Sequence, residues 1–256
     1  MAKGHHTAQM ASRMRRASAA MAAAACAITL PWTSRAHPPR LPVDADTHAT
    51  GVFLNQQGDV LTARHAIEHC KEIFVVKDGK VAQARVRAIS NAHDLAVLGT
   101  ELIPYLSATF PAKTQSGGSS MGVFAEAYSV LQRMPHRASV LSNAMTVPGG
   151  DDLNLISGAK PGTSGSAVLR ADGLVAGVVV ERVARGPGAA GAALSRAASA
   201  TSVSGPSQVR AVAAGPVKQF LRDSGIPFTE SDTPQLAPNQ SPAARAATLA
   251  AGVLCG

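Results

Sequence analysis

Three residues in this sequence have the types and settings needed for base-assisted nucleophilic attack. Ser164 lies in Gly162-Thr163-Ser164-Gly165-Ser166, followed by the apolar run Ala167-Val168-Leu169. Two glycines three residues apart allow a tight turn that a residue with a Cβ resists. Such a turn pushes the serine hydroxyl outward. It also aims the backbone N–H groups of Gly162 and Ser164 into one small space, the arrangement that stabilises a developing oxyanion. A serine hydroxyl is a poor nucleophile until a base takes its proton. His65, in Val60-Leu61-Thr62-Ala63-Arg64-His65-Ala66-Ile67, is the candidate base, since histidine is the side chain that ordinarily exchanges protons near neutrality. Asp94, heading Asp94-Leu95-Ala96-Val97-Leu98, supplies a carboxylate to orient the imidazole and stabilise its charged form. The order is His, Asp, Ser, with separations of 94 − 65 = 29 and 164 − 94 = 70. Each residue alone has an ordinary alternative as a polar turn or a structural side chain. All three in order and in context outweigh those alternatives.

The elements that must hold them read as short strands. Residues 50–54 and 60–62 flank a turn at Asn55-Gln56-Gln57-Gly58 and read as a hairpin. A short helical turn over 63–69 carries His65. Strands are expected at 73–76 and 80–87 around the Asp78-Gly79 turn signal, and at 94–98. Later strands are expected at 121–125, 138–147, 153–156, 166–169 and 174–183. Many short strands at close spacing argue for an all-β sandwich or barrel. Residues 184–206, rich in Gly, Ala and Ser, read as a long loop. One helix is well signalled over 216–224, with Pro216 at its start, an apolar stripe of Val217, Phe220 and Leu221, and Gly225 as its stop. After it the chain is low in complexity, ending in a short apolar segment, 246–254, and Cys255.

Composition narrows the class. Of 256 residues 46% are hydrophobic, enough for one larger domain or two small ones. The formal charge is +8, but residues 1–36 contribute Lys3, Arg13, Arg15, Arg16 and Arg35 and no acid. The rest carries 19 basic and 16 acidic residues, or +3. No basic block or aromatic-interleaved basic stretch remains, which argues against a nucleic-acid partner. The leader itself runs from basic residues through an uncharged stretch, 17–30, to Ser34-Arg35-Ala36. That is the pattern of a secretory signal peptide, favoured over a disordered Ala-rich leader or an organellar transit peptide, with cleavage expected after Ala36 and export to the periplasm or medium. Its apolar stretch is shorter than the roughly 20 residues a membrane-spanning helix needs. Cys26 would leave with it. Cys70 and Cys255 remain, an even count that permits one disulfide in an oxidising compartment.

The three blocks together resemble the trypsin/chymotrypsin-like serine peptidases, and most closely their compact bacterial branch, which includes the catalytic domain of high-temperature-requirement (Deg-type) proteases. The resemblance covers residues 47–226. It implies a chymotrypsin-like double six-stranded antiparallel β-barrel with a short C-terminal helix. The barrels would span about 47–110 and 118–215, with 227–256 as a low-complexity tail. It implies His65, Asp94 and Ser164 as the catalytic residues of a serine endopeptidase acting on polypeptides without a cofactor. Gly162 and Ser164 would provide the oxyanion N–H groups. Ser157, Gly158, Ala159 and Lys160 would line one wall of the substrate pocket, with Val180, Glu181 and Arg182 as the strand that binds substrate backbone. Some compact bacterial relatives carry a Cys just beyond the catalytic His and another near the C-terminus. That likeness, with the count of two, implies a Cys70–Cys255 disulfide. A catalytically weak peptide-binding protein of the same fold is the alternative. Oligomeric state is not legible in the sequence.

The sequence departs from the family in places. Arg64 precedes the histidine where a small or polar residue is commoner, Ser166 replaces a common glycine, and Thr163 stands where trypsin-type zymogen activation needs an aspartate. The residues after the helix are too few for a Deg-type peptide-binding domain. Two rival motifs also occur. His65-Ala66-Ile67-Glu68-His69 matches the H-x-x-E-H zinc pattern, but that chemistry needs a longer helix and a third ligand, so no metal is expected. Gly118-Ser119-Ser120-Met121-Gly122 matches G-x-S-x-G, but only His136 follows it as a candidate histidine, and the chain lacks the alternating strand and helix patterns of that fold.

Overall fold

The computed structural model describes residues 48–113, 120–148, 152–183, 192–193 and 207–256. The expected leader and most of the 184–206 loop lie outside these residues.

Five strands follow one another at the start: β1 (Ala49–Phe53), β2 (Asp59–Thr62), β3 (Ile73–Lys77), β4 (Lys80–Ile89) and β5 (Ala96–Thr100). The hairpins are those legible in the sequence. The β1–β2 turn is held by the Asn55 side chain, which accepts from the N–H groups of Gln57 (2.9 Å) and Asp59 (3.3 Å). Short β6 (Thr109–Phe110) and β7 (Gly122–Val123) lead to helix α1 (Tyr128–Arg133), then β8 (Ala144–Val147), β9 (Leu153–Ser157), β10 (Ala167–Leu169), β11 (Val175–Val183), β12 (Ala192–Ala193) and β13 (Ser207–Ala213). The chain ends with helix α2 (Ala214–Asp223), β14 (Thr229–Glu230), helix α3 (Pro242–Leu249) and β15 (Ala250–Cys255).

These strands make two six-stranded barrels, one closed and one nearly closed. The first has the cyclic order β1-β15-β3-β4-β5-β2. The second has the order β10-β11-β13-β9-β8-β7, with β12 paired to β11. Its ends approach through one antiparallel bridge, Phe124 to Leu169, where each N–H donates to the other's carbonyl at 2.8 Å. Phe53, Val60, Val75, Leu98 and Val253 fill the first barrel, and Val123, Leu155, Val168, Val179 and Val209 the second. A third apolar cluster runs between the barrels and the three helices, including Leu61, Val97, Phe124, Val178, Val217 and Leu249. β11 contributes Val178 to this cluster and Val179 to the second barrel, so both its faces are buried. That explains the unbroken apolar run 174–180.

Several elements differ from the sequence reading. Residues 138–147 are not one strand: a 3-10 turn (Arg137–Ser139) precedes β8, after the unexpected α1. β13 was not expected either; its Ser207-Gln208-Val209-Arg210 alternation was overshadowed by the loop composition before it. The expected helix is α2, starting two residues earlier. The largest correction concerns residues 227–256. They are not a tail beyond the barrels. Phe228 meets Phe110 edge-to-face at 5.7 Å, and β14 pairs in parallel with β6. Ser241 caps α3 by accepting from the Ala244 N–H at 3.1 Å. β15 then closes the first barrel between β1 and β3. Its apolar residues read as tail because their partners lie some 180 to 200 positions earlier.

Candidate active site

Strand register brings His65 and Asp94 together. β2 and β5 are adjacent and antiparallel, with Thr62 opposite Ala96. His65 lies three residues past the end of that pair, on a 3-10 turn (Arg64–Ala66), and Asp94 two residues before it. The Asp94 carboxylate grips His65 twice. One oxygen accepts from the His65 backbone N–H at 2.9 Å, and the other lies 2.5 Å from the imidazole Nδ1. Burial pulls the Asp94 carboxyl upward. The bonds and charge of His65, with the charge of Arg64, outweigh that and hold it below the usual carboxylate value. An ionised carboxylate only accepts, so Nδ1 carries a proton, and in the neutral imidazole Nε2 then presents a lone pair. Nε2 lies 3.1 Å from the Ser164 hydroxyl, which therefore donates to it. Ser164, His65 and Asp94 thus stand in one hydrogen-bonded line.

The serine turn has the conformation its glycines suggested. Gly162 and Gly165 take φ of +95° and +84°. At Gly165 a Cβ would collide with the Thr50 carbonyl and come within 2.5 Å of the Thr62 hydroxyl. Among the hydrogen bonds of the described residues, none uses the N–H of Gly162 or of Ser164. Thr163, at the position where the zymogen mechanism needs an acid, is buried and donates its hydroxyl to the Lys160 carbonyl at 2.7 Å.

The expected wall residues also have places. Ser157 ends β9 and is buried with Ala159, whereas Gly158 and Lys160 are exposed. Val180, Glu181 and Arg182 lie in β11. Glu181 and Arg182 pair with Arg210 and Val209 of β13 on one edge and with Ala193 and Ala192 of β12 on the other. The Glu181 carboxylate accepts from Arg210 Nε at 2.6 Å. Arg64 is held by the Ser90 carbonyl at 3.1 Å and lies 3.3 Å from Glu68. His69 is exposed. Cys70 and Cys255 form a disulfide that joins the His65 segment to β15. Thr50 of β1, which no local signal marks, donates to the Ser164 and Gly162 carbonyls of the serine turn.

A family model described as trypsin-like peptidase domain matches residues 49–178, about half of the chain. A curated relative, uncharacterized protein y4bJ of Sinorhizobium fredii, is 29% identical over 144 residues, which is 54% of this chain and 22% of the relative. The chain thus spans under a quarter of that relative's length. Among solved structures, the inactive form of the Rv3671c protease is 18% identical with a TM-score of 0.45, over 69% of this chain and 83% of that one. The active form of the Mycobacterium tuberculosis Rv3671c protease is 16% identical with a TM-score of 0.47, over 76% and 78%. A serine endoprotease of Yersinia pestis is 17% identical with a TM-score of 0.47, over 69% and 57%.

Proposed function

The chain belongs to the trypsin-like peptidase family, and from that premise we propose that it is a serine endopeptidase acting through Ser164, His65 and Asp94. The observation that carries this reading is the unbroken line from the Asp94 carboxylate through the His65 ring to the Ser164 hydroxyl. Ser164 Oγ attacks the peptide carbonyl carbon while His65 Nε2 takes its proton. Asp94 stabilises the resulting imidazolium. The carbonyl oxygen, now negative, accepts from the N–H groups of Gly162 and Ser164. Collapse expels the amine, protonated by His65, and leaves an acyl group on Ser164. Water, deprotonated by the same imidazole, then releases the acid and restores the serine. Substrate backbone pairs with β11 at Val180, since β12 and β13 fill both edges at Glu181 and Arg182, and Ser157–Lys160 flank the side-chain pocket. Export after cleavage at Ala36 places this chemistry outside the cytoplasm; N-terminal sequencing of the secreted protein beginning at His37 is the expected result.

Fluorophosphonate labelling and casein hydrolysis, each compared with Ser164→Ala, test the reading. Wild type should label and cleave, and the variant should do neither. Equal casein hydrolysis by both would overturn it. The second reading, a catalytically weak peptide-binding protein, has two observations in its favour. Ser164 has no exposed surface, and β12 occupies the edge of β11 at Glu181 and Arg182. Peptide binding by wild type without labelling or turnover would select it.

A further inference from the structure

Thr50 makes a set of contacts that the mechanism has not used. It lies in β1, is 1% exposed, and every polar group it owns is engaged, its N–H and hydroxyl reaching across the seam between the barrels and its carbonyl bonding within its own barrel. Its N–H donates to the Ser164 carbonyl at 2.9 Å. Its hydroxyl donates to the Gly162 carbonyl at 2.7 Å and accepts from the Tyr128 N–H at 2.8 Å. Its own carbonyl accepts from the Thr62 hydroxyl at 2.8 Å, three residues before His65.

We propose that the Thr50 side chain is a positioning residue that holds the Gly162 peptide so that its N–H faces the developing oxyanion. The inference rests on the serine-peptidase reading above. Its physical basis is which peptide planes are tied down. The Ser164–Gly165 plane is held by the Thr50 N–H. The Thr163–Ser164 plane is held where its carbonyl accepts from the Ser166 N–H at 2.9 Å. The Gly162–Thr163 plane is held by the Thr50 hydroxyl. It is also held by the Thr163 N–H, which donates to the Lys160 carbonyl at 3.2 Å. The remaining plane, Pro161–Gly162, carries the N–H that the oxyanion needs. Among the described residues its carbonyl has no donor. Its orientation is therefore inherited through Gly162, whose φ of +95° is tolerated by glycine but not enforced by it. Without the Thr50 hydroxyl, Gly162 can rotate, and the hole loses one donor for a fraction of the time.

The same hydroxyl accepts from Tyr128, so one side chain ties the nucleophile turn to α1, while the Thr50 carbonyl ties it to the strand leading to His65. Gly165 packs directly against that carbonyl, which leaves the turn no room to drift away from β1.

The test is a series at one position: Thr50→Ser, Thr50→Cys and Thr50→Val. Each is assayed well below its own melting temperature, with active sites counted by fluorophosphonate. Losing one oxyanion donor lowers turnover by about 10²- to 10³-fold. Partial loss through rotation should therefore lower kcat by about 10- to 100-fold in Thr50→Val, with KM nearly unchanged. Thr50→Ser, which keeps the hydroxyl, should restore kcat, and Thr50→Cys should fall between. A peptide boronate, which mimics the tetrahedral oxyanion, should lose affinity in step with kcat, while a non-reacting product peptide should not. A purely structural role would lower the melting temperature without separating these two ligands. If Thr50→Val does not fold, the order Thr ≈ Ser > Cys decides alone. Wild-type kcat and boronate affinity in Thr50→Cys, or in a folded Thr50→Val, overturn the inference. A wild type that neither labels nor cleaves fails the serine-peptidase reading instead.

Discussion

The two barrels are closed by different means. In the first, six strands are hydrogen-bonded all the way round, and the closing strand, β15, is stapled by Cys70–Cys255 to the segment just after His65. In the second, the circuit rests on a single bridge between Phe124 and Leu169. The difference follows what each barrel holds. The first presents His65 and Asp94 from the ends of two adjacent strands, where a slip of register would part them. The second presents Ser164 on a turn whose shape comes from glycine backbone, from the bonds of Gly165 and Ser166 to Val179 of β11, and from Thr50 of the other barrel. On the proposed mechanism, rigidity in the first barrel sets the base, and contact across the seam sets the nucleophile.

The strongest way to test that division is Asp94→Asn. It should leave the first barrel folded, by circular dichroism, yet lower turnover by about 10⁴-fold, because the amide favours the wrong imidazole tautomer. The same variant reads out the pH dependence. The folded Asp94 carboxyl is held below its unfolded value. Its contribution to stability is therefore fully present above the unfolded value, about 3.9, and is lost as pH falls through the folded one. The stability gap between wild type and Asp94→Asn in urea should hold steady between about pH 7 and pH 5 and close in stronger acid. A gap that persists at about pH 1 would contradict the assignment.

Gly165→Ala probes the seam. A left-handed φ and a Cβ against the Thr50 carbonyl together should cost about 4 kcal/mol in denaturant unfolding. Casein hydrolysis should be lost with it. Unchanged stability would mean that the turn is not pressed against β1.

Removing the staple by the double change Cys70→Ser and Cys255→Ser should cost about 3 kcal/mol, since the bridge spans 185 positions. Hydrogen exchange should quicken in β1, β3 and β15 and stay slow in β9, β11 and β13. Equal quickening in both barrels would show that they unfold as one unit and erase the contrast drawn above.

The smallest effect belongs to the second barrel. Burial raises the Glu126 carboxyl above its usual value, against the Ala127 N–H, Lys160 and Asn143. The folded state then holds its proton longer than the unfolded state, so stability falls as pH rises from about 4.3 through the folded value. Glu126→Gln should raise the melting temperature at about pH 7 by about 2 °C, a gain that disappears below about pH 4. A gain of equal size at both pH values would trace it to packing instead.

Much of this molecule is written in short stretches. The hairpin turns, the glycines at 162 and 165, the alternation of β4 and the apolar runs of β3 and β5 are local signals, because turn chemistry and strand period act over a few residues. His65, Asp94 and Ser164 could be singled out before any distance between them was known, but only as three blocks in order, since each alone reads equally as a turn or a structural side chain. The tertiary structure decided what no window contains. It turned residues 250–255 from an apparent tail into the closing strand of the first barrel, since an apolar run shows that it must be buried but not against what. It split 138–147 into a turn and a strand, and it made a plain strand threonine the point where β1, α1 and the serine turn meet. Those outcomes depend on partners up to some 200 positions apart, and pairing at that range is chosen by the packed whole, not by the residues on either side.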